Sequence, residues 1–209
     1  MMPQRNWTIC VPAVNLDDLL DAPYLDMGTF GAQAAVPIVA AVGQSGIVSY
    51  AEVVSSISAK AAGRAARATI DDYNDVTTAA LQVVGGAQRA KSVLLLNPAD
   101  PPIPMRSTVF CLVEGNADQE RIESNVLAMV DKVSSYVPGY RLRHGVQFET
   151  FGADNALHIP ETGKFIGTKV TVLLEVVGAT GNIDIMTSAA RETVARIANT
   201  ATEITGIPT

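Results

Sequence analysis

The chain has 209 residues, 48% hydrophobic and 17% charged, with a net charge of -6 and a pI of about 4.9. That is enough apolar content for one packed domain. No basic stripe offsets the acidity, so nucleic acid is not an expected partner. No apolar run approaches the ~20 residues that span a bilayer, and no basic segment followed by an apolar one marks a signal peptide.

In chain order, Trp7 to Val14 is apolar and strand-like, and Asp17 to Leu20 suits a helical turn before Pro23. A second apolar approach breaks at Gly28. Ala34 to Val42 then reads as a helix with almost no polar face. Free backbone N–H groups at such a helix start form an anion or oxyanion site, and nucleophiles are often mounted there. Val48 to Ala59 is a strand by its β-branched content. Ala51, Val53, Ser55 and Ile57 share one side; Glu52, Val54, Ser56 and Ser58 share the other. Ser58 to Arg67 is a loop. Thr69 with Asp72 predicts a capped helix to about Val84, and Gly85-Gly86 its terminating turn. Lys91 to Leu96 is a short strand stopped by Asn97-Pro98. The four prolines between 98 and 104 exclude ladder or helix.

Met105 opens the next strand. Asn116 and Gln119 predict the start of a helix carrying Ile122, Val126, Met129, Val130 and Val133, ending near Tyr136. A strand is expected over 140–149, a loop over 155–163, and a strong strand over 168–177. A last helix from about Thr187 carries Val194, Ile197, Ala201 and Ile204. Cys10 and Cys111 lack metal-ligand spacing and read as two buried thiols of a reducing cytosol. His144 and His158 have no metal-ligand or Ser–Asp partner nearby in sequence, so no metal site is expected.

Several of these segments resemble the acylating acetaldehyde dehydrogenases, NAD- and CoA-dependent enzymes that pair with 4-hydroxy-2-oxovalerate aldolase. The family turn Thr-Cys-Gly-Gly-Gln matches Thr29-Phe30-Gly31-Ala32-Gln33, and its Cys is the thiohemiacetal nucleophile. Its Ser-Ala-Gly-Pro-Gly-Thr-Arg loop resembles Ser58 to Arg67, with Arg67 matching. Asn-Pro-Ala-Glu-Pro-Pro matches Asn97 to Pro102. Met-Arg-Asp-Thr, whose Asp partners the nucleophile, matches Met105-Arg106-Ser107-Thr108. Val137 to Leu142 and Gly181 to Thr187 also match, and the resemblance covers nearly all of residues 10 to 203.

The resemblance implies an α/β (α+β) domain: a mixed, mostly antiparallel sheet with helices on one face. A homodimer through the sheet's other face is expected. No Gly-x-Gly-x-x-Gly follows a strand, so residues 1–209 are expected to form the family's second domain without its Rossmann domain. The family's Tyr- and Pro-rich insertion before Gly181 is also missing. A phenyl ring cannot attack a carbonyl. With Phe30 at the nucleophile's position and Ser107 at its partner's, no NAD or CoA chemistry is expected and no cofactor is required.

Two functions stay open. One is a cofactor-free condensation or cyclisation, of the Pictet–Spengler kind, on a small carbonyl compound and an aromatic amine. Glu175 or Asp184 would move the proton, with Glu175 raised in pKa by an apolar sheet face. Phe30, Gly31, Arg67, Arg106, Ser107 and Asn182 would bind the substrate. The other is an inactive partner subunit of an aldolase or dehydrogenase. Phe30 either walls a living pocket with Arg106 or Ser107 and the Ala61–Arg67 loop, or fills a dead one.

Overall fold

The computed structural model describes residues 8–60, 62, 69–159, 163–178 and 182–205. Two short parallel strands, β1 (Thr8–Ile9) and β2 (Leu25–Asp26), flank helix α1 (Pro12–Asn15) and a 3-10 turn at Leu16–Leu19. The strand expected through Val14 therefore stops early. Pro12 lacks an amide donor and suits the first turn of a helix, and there it starts α1.

Helix α2 (Phe30–Gly43) is followed by β3 (Val48–Ser58), helix α3 (Ile70–Val83), β4 (Ala90–Asn97) and β5 (Met105–Glu114). Then come helix α4 (Gln119–Ser134), β6 (Tyr140–Leu142), β7 (Gln147–Phe151), the β8 (Leu157–Ile159) and β9 (Gly163–Phe165) hairpin, β10 (Gly167–Val176) and helix α5 (Asn182–Thr205).

The main sheet has six strands in the order β4-β3-β5-β10-β6, with β7 also on β10. Only β3 and β4 are parallel, joined through α3; the other pairs are antiparallel. This is the mixed, mostly antiparallel sheet expected from the sequence. Strand alternation sends Ala51, Val53, Ser55 and Ile57 of β3 to one face. Ser107, Val109, Cys111 and Val113 of β5 and Val170, Val172, Leu174 and Val176 of β10 join them, and all are buried. Helix α2 lies on that face and is itself surrounded: from Gly31 to Val42 every residue but Ala40 is buried. Such a helix needs no polar stripe.

Three local expectations are corrected. Asp118, not Asn116, caps α4: its side chain accepts the Arg121 amide at 3.0 Å. Thr69 occupies the cap position of α3, but its side chain does not close the cap. The strand expected over 140–149 splits in two. Leu142 pairs with Leu174 and Gln147 with Thr171, so five steps on one strand match three on the other and the surplus loops out as a bulge. The cysteines are as expected: both are free and buried. Burial pushes the Cys111 thiol up to about 12. No helix among the described residues is long and apolar enough to cross a membrane.

Candidate functional site

The helix start expected at Ala34 lies one turn earlier, at Phe30. Thr29 is extended (φ -121°, ψ 161°), and its hydroxyl oxygen accepts the Ala32 amide at 3.0 Å, closing the cap. The Thr77 hydroxyl donates to the Tyr73 carbonyl at 2.7 Å. The Thr29 hydroxyl therefore donates to Thr77, also at 2.7 Å. A relay Thr29–Thr77–Tyr73 thus ties the start of α2 to α3. Gln33 donates from one nitrogen to the carbonyls of Cys10 (2.8 Å) and Met27 (2.7 Å), anchoring the same turn to β1 and β2. Tyr140 donates to the Ala34 carbonyl at 2.8 Å from below.

Over this turn Phe30 packs on Tyr73, ring centroids 4.6 Å apart and tilted by 34°. A methyl group on Gly31 would overlap the Tyr73 hydroxyl and approach Ser55 Oγ to 3.4 Å. Gly31 is therefore required by close approach. Burial, offset in part by Ser55, Thr77 and the Gly31 amide, raises the Tyr73 phenol to about 12. None of them closes a hydrogen bond of acceptable geometry, so this buried hydroxyl is unpartnered. Tyr73→Phe is accordingly expected to leave stability unchanged or raise it by up to about 1 kcal/mol, read from urea denaturation. A loss of more than that would mean that the hydroxyl is bonded.

Ser107 is buried on the same face. It sits directly across from Ser55, their hydroxyls 3.0 Å apart. Position 107 thus holds a neutral hydroxyl satisfied by another hydroxyl. The sequence carried a trace of this: Ser55 was a polar residue on a face of Ala, Val and Ile. Tyr73 was missed, because an aromatic at helical spacing looks like ordinary core.

Arg106 and Glu175 do not join this group. Neighbours along a strand face opposite ways, so Arg106 leaves the sheet on the side away from Ser107. There it meets Glu175, its cross-strand partner, with Arg106 Nε to Oε1 at 3.1 Å. Arg141, the cross-strand partner on β6, donates from Nη2 to Oε2 at 2.8 Å. Arg143 Nε lies 3.9 Å from Oε1. The raised pKa expected for Glu175 is corrected. The Arg141 hydrogen bond, with Arg106 adding to it, outweighs desolvation and holds the carboxyl below its ordinary value. The carboxylate is buried beside arginine side chains that bond both its oxygens.

Asn182 begins α5, and Asp184 lies in its first turn with its carboxylate against Gly178. A carboxylate there suits the positive end of the helix. Arg64, Arg67 and the rest of the 63–68 stretch, with Ala61, lie outside the described residues. Three cavities lined by described residues contain none of the expected site residues. Among the described residues no group of His, Cys, Asp and Glu could hold a metal ion.

A family model described as "Prokaryotic acetaldehyde dehydrogenase, dimerisation" matches residues 30–184. A Mycolicibacterium vanbaalenii protein named "Probable inactive acetaldehyde dehydrogenase 1" is 58% identical over 196 residues, 90% of this chain and 62% of its own length. "Acetaldehyde dehydrogenase 1" of Mycobacterium ulcerans is 56% identical over 88% of this chain and 57% of its own length. The chain spans less than two thirds of these relatives. Aspartate semialdehyde dehydrogenase II of Vibrio cholerae, solved with ASA, shares the fold: TM-score 0.54, 11% identity, 93% of this chain and 65% of that one.

Proposed function

Because the chain belongs to the prokaryotic acetaldehyde dehydrogenase dimerisation family, we propose that it acts by assembly and not by acyl transfer. On this reading it is a non-acylating subunit that pairs with a second copy through the exposed face of its sheet. One observation carries the reading. The turn that would present a nucleophile presents the Phe30 ring, packed on Tyr73. Neither ring offers the thiolate that acyl transfer requires. Ser107 pairs its hydroxyl with that of Ser55, its cross-strand partner.

A condensation or cyclisation is the weaker reading, because its acid is lost. Glu175 lies on the far side of the sheet from Phe30 and is held ionised by arginines. Asp184 keeps a place in the first turn of α5, where it complements the helix dipole. No observation favours an aldolase over a second copy as the partner.

The exposed sheet face suits self-association. Val54 and Thr108 pair at its centre, beside Leu173, with Leu95 on β4 exposed. An antiparallel sheet can turn one face to water when that face is polar. This face carries Val54, Phe110 and Leu173, which water covers poorly. Light scattering should give twice the 22.0 kDa of one chain, and Val54→Glu should give one chain with its circular dichroism retained. A clean monomer for the unsubstituted chain would sink the assembly half. NADH formation from acetaldehyde, CoA and NAD by the purified chain would sink the other half.

A further inference from the structure

We propose that Tyr73 occupies, from within the chain, the anion site at the start of α2, and so closes the Phe30 turn to an acyl group independently of the missing thiol. The inference rests on the non-acylating reading and deepens it with a second block. The first N–H groups of an α-helix have no acceptor inside the helix. Here the Thr29 hydroxyl takes that of Ala32, and the Thr29 carbonyl takes that of Gln33 at 2.9 Å. Among the described residues the N–H groups of Phe30 and Gly31 are left over. Donors placed in this way can hold the oxygen of a tetrahedral acyl intermediate.

Tyr73 stands against these donors. A methyl group on Gly31 would overlap its hydroxyl and lie 3.4 Å from Ser55 Oγ, so the hydroxyl fills the space between the turn and the Ser55–Ser107 pair. It is also near enough to the Gly31 amide for that amide to favour the phenolate form. Yet the hydroxyl is buried and no hydrogen bond of acceptable geometry reaches it. An orphaned buried hydroxyl costs stability. The stack with Phe30 needs only the ring, so the hydroxyl is accounted for by what it covers.

Two blocks therefore act at one turn. Phe30 supplies no nucleophile. Tyr73 covers both the side chain at position 30, with 4.6 Å between ring centroids, and the Gly31 backbone next to it. Restoring a thiol at position 30 is then not enough to restore acyl transfer, because the thiol faces the same ring and the amides stay covered.

The test uses the full chain carrying Phe30→Cys, alone and with Tyr73→Phe or Tyr73→Ala, against p-nitrophenyl acetate. The thiolate attacks the ester carbonyl, a C–S bond forms, the C–O bond breaks, and p-nitrophenolate leaves and is read by its colour. The unsubstituted chain gives the background from the buried Cys10 and Cys111. Iodoacetamide alkylation, which develops no oxyanion, reads access to the new thiol and its ionisation. Phe30→Cys alone should acylate no faster than free N-acetylcysteine at the same pH. Adding Tyr73→Ala should speed acylation about tenfold or more, and by more than it speeds alkylation. Tyr73→Phe, which keeps the ring, should give part of that gain. Circular dichroism checks each variant, and Tyr73→Phe decides alone if Tyr73→Ala unfolds. Equal acylation rates with and without the Tyr73 hydroxyl would overturn the proposal. So would a gain that alkylation shares in full, since the ring would then only shade the thiol. Neither result bears on NADH formation by the unsubstituted chain, so the non-acylating reading would stand.

Discussion

Replacing Gly139 by alanine is expected to lower the unfolding free energy by about 3 kcal/mol or more. Gly139 has φ +85°, in the left-handed region, where a side chain costs energy even in open space. The space is not open. An added methyl would overlap the Val177 carbonyl group and press on its nitrogen at 3.1 Å. Backbone cannot rotate away as a side chain can. Here it is fixed on both sides: Val177 donates to the Gly139 carbonyl at 3.0 Å, and Val176 pairs with Tyr140. The strain also reaches the candidate site. Tyr140 follows directly, and its hydroxyl holds the Ala34 carbonyl in the helix that carries Phe30. Urea denaturation reads the loss directly. A change below about 1 kcal/mol would mean that the turn has a second conformation that accepts a side chain.

Removing the Glu175 carboxylate is expected to cost about 2 kcal/mol. Breaking a buried pair from one side costs more than a surface pair is worth, because the opposite charge is stranded. The arginines here are partly exposed, so water takes back part of that penalty and the figure falls toward the low end. Glu175→Ala tests the magnitude, and Glu175→Gln tests the pH dependence. The folded carboxyl is held below its ordinary 4.5. A depressed folded pKa gives stability that is fully present above the unfolded value and is lost as pH falls through the folded one. The difference between wild type and Glu175→Gln should therefore be level from neutral pH down to about 4.5 and shrink below it. A difference that instead grew on acidification would mean that the carboxyl is raised and buried without its arginines.

Much of the fold was legible because it rests on periodicity. Period two in Ala51-Val53-Ser55-Ile57 places those residues on one face before any partner is known. The bounds expected for this strand hold nearly to the residue, from Val48 to Ser58. The apolar run after Gly28 marked a helix buried all round, and α2 is one. Proline explains the failure at Val11-Pro12, where hydrophobicity read as strand and the ring's missing donor decided for helix.

The candidate site was legible in its composition and not in its grouping. The family shows in short motifs, and the identities of Phe30 and Ser107 are properties of single positions, so a linear chain carries them openly. Which positions meet is a property of pairs. Arg106 and Ser107 are adjacent in sequence, yet the pleat sends one to Glu175 and the other to Ser55. Glu175 looked like a carboxyl on an apolar face because Leu173 and Val177 are its neighbours along the strand. Its true surroundings come from strands 69 and 34 residues away, which supply Arg106 and Arg141 and reverse the sign of its pKa shift. Tyr73 covers the Phe30 turn for the same kind of reason: α3 crosses above the start of α2, and nothing local to either helix records it. The sequence alone therefore determined most of the elements and the buried face, which depend on residue type and period. Register and packing decided the contacts, because Coulomb forces, hydrogen bonds and ring stacking act across space and not along the chain.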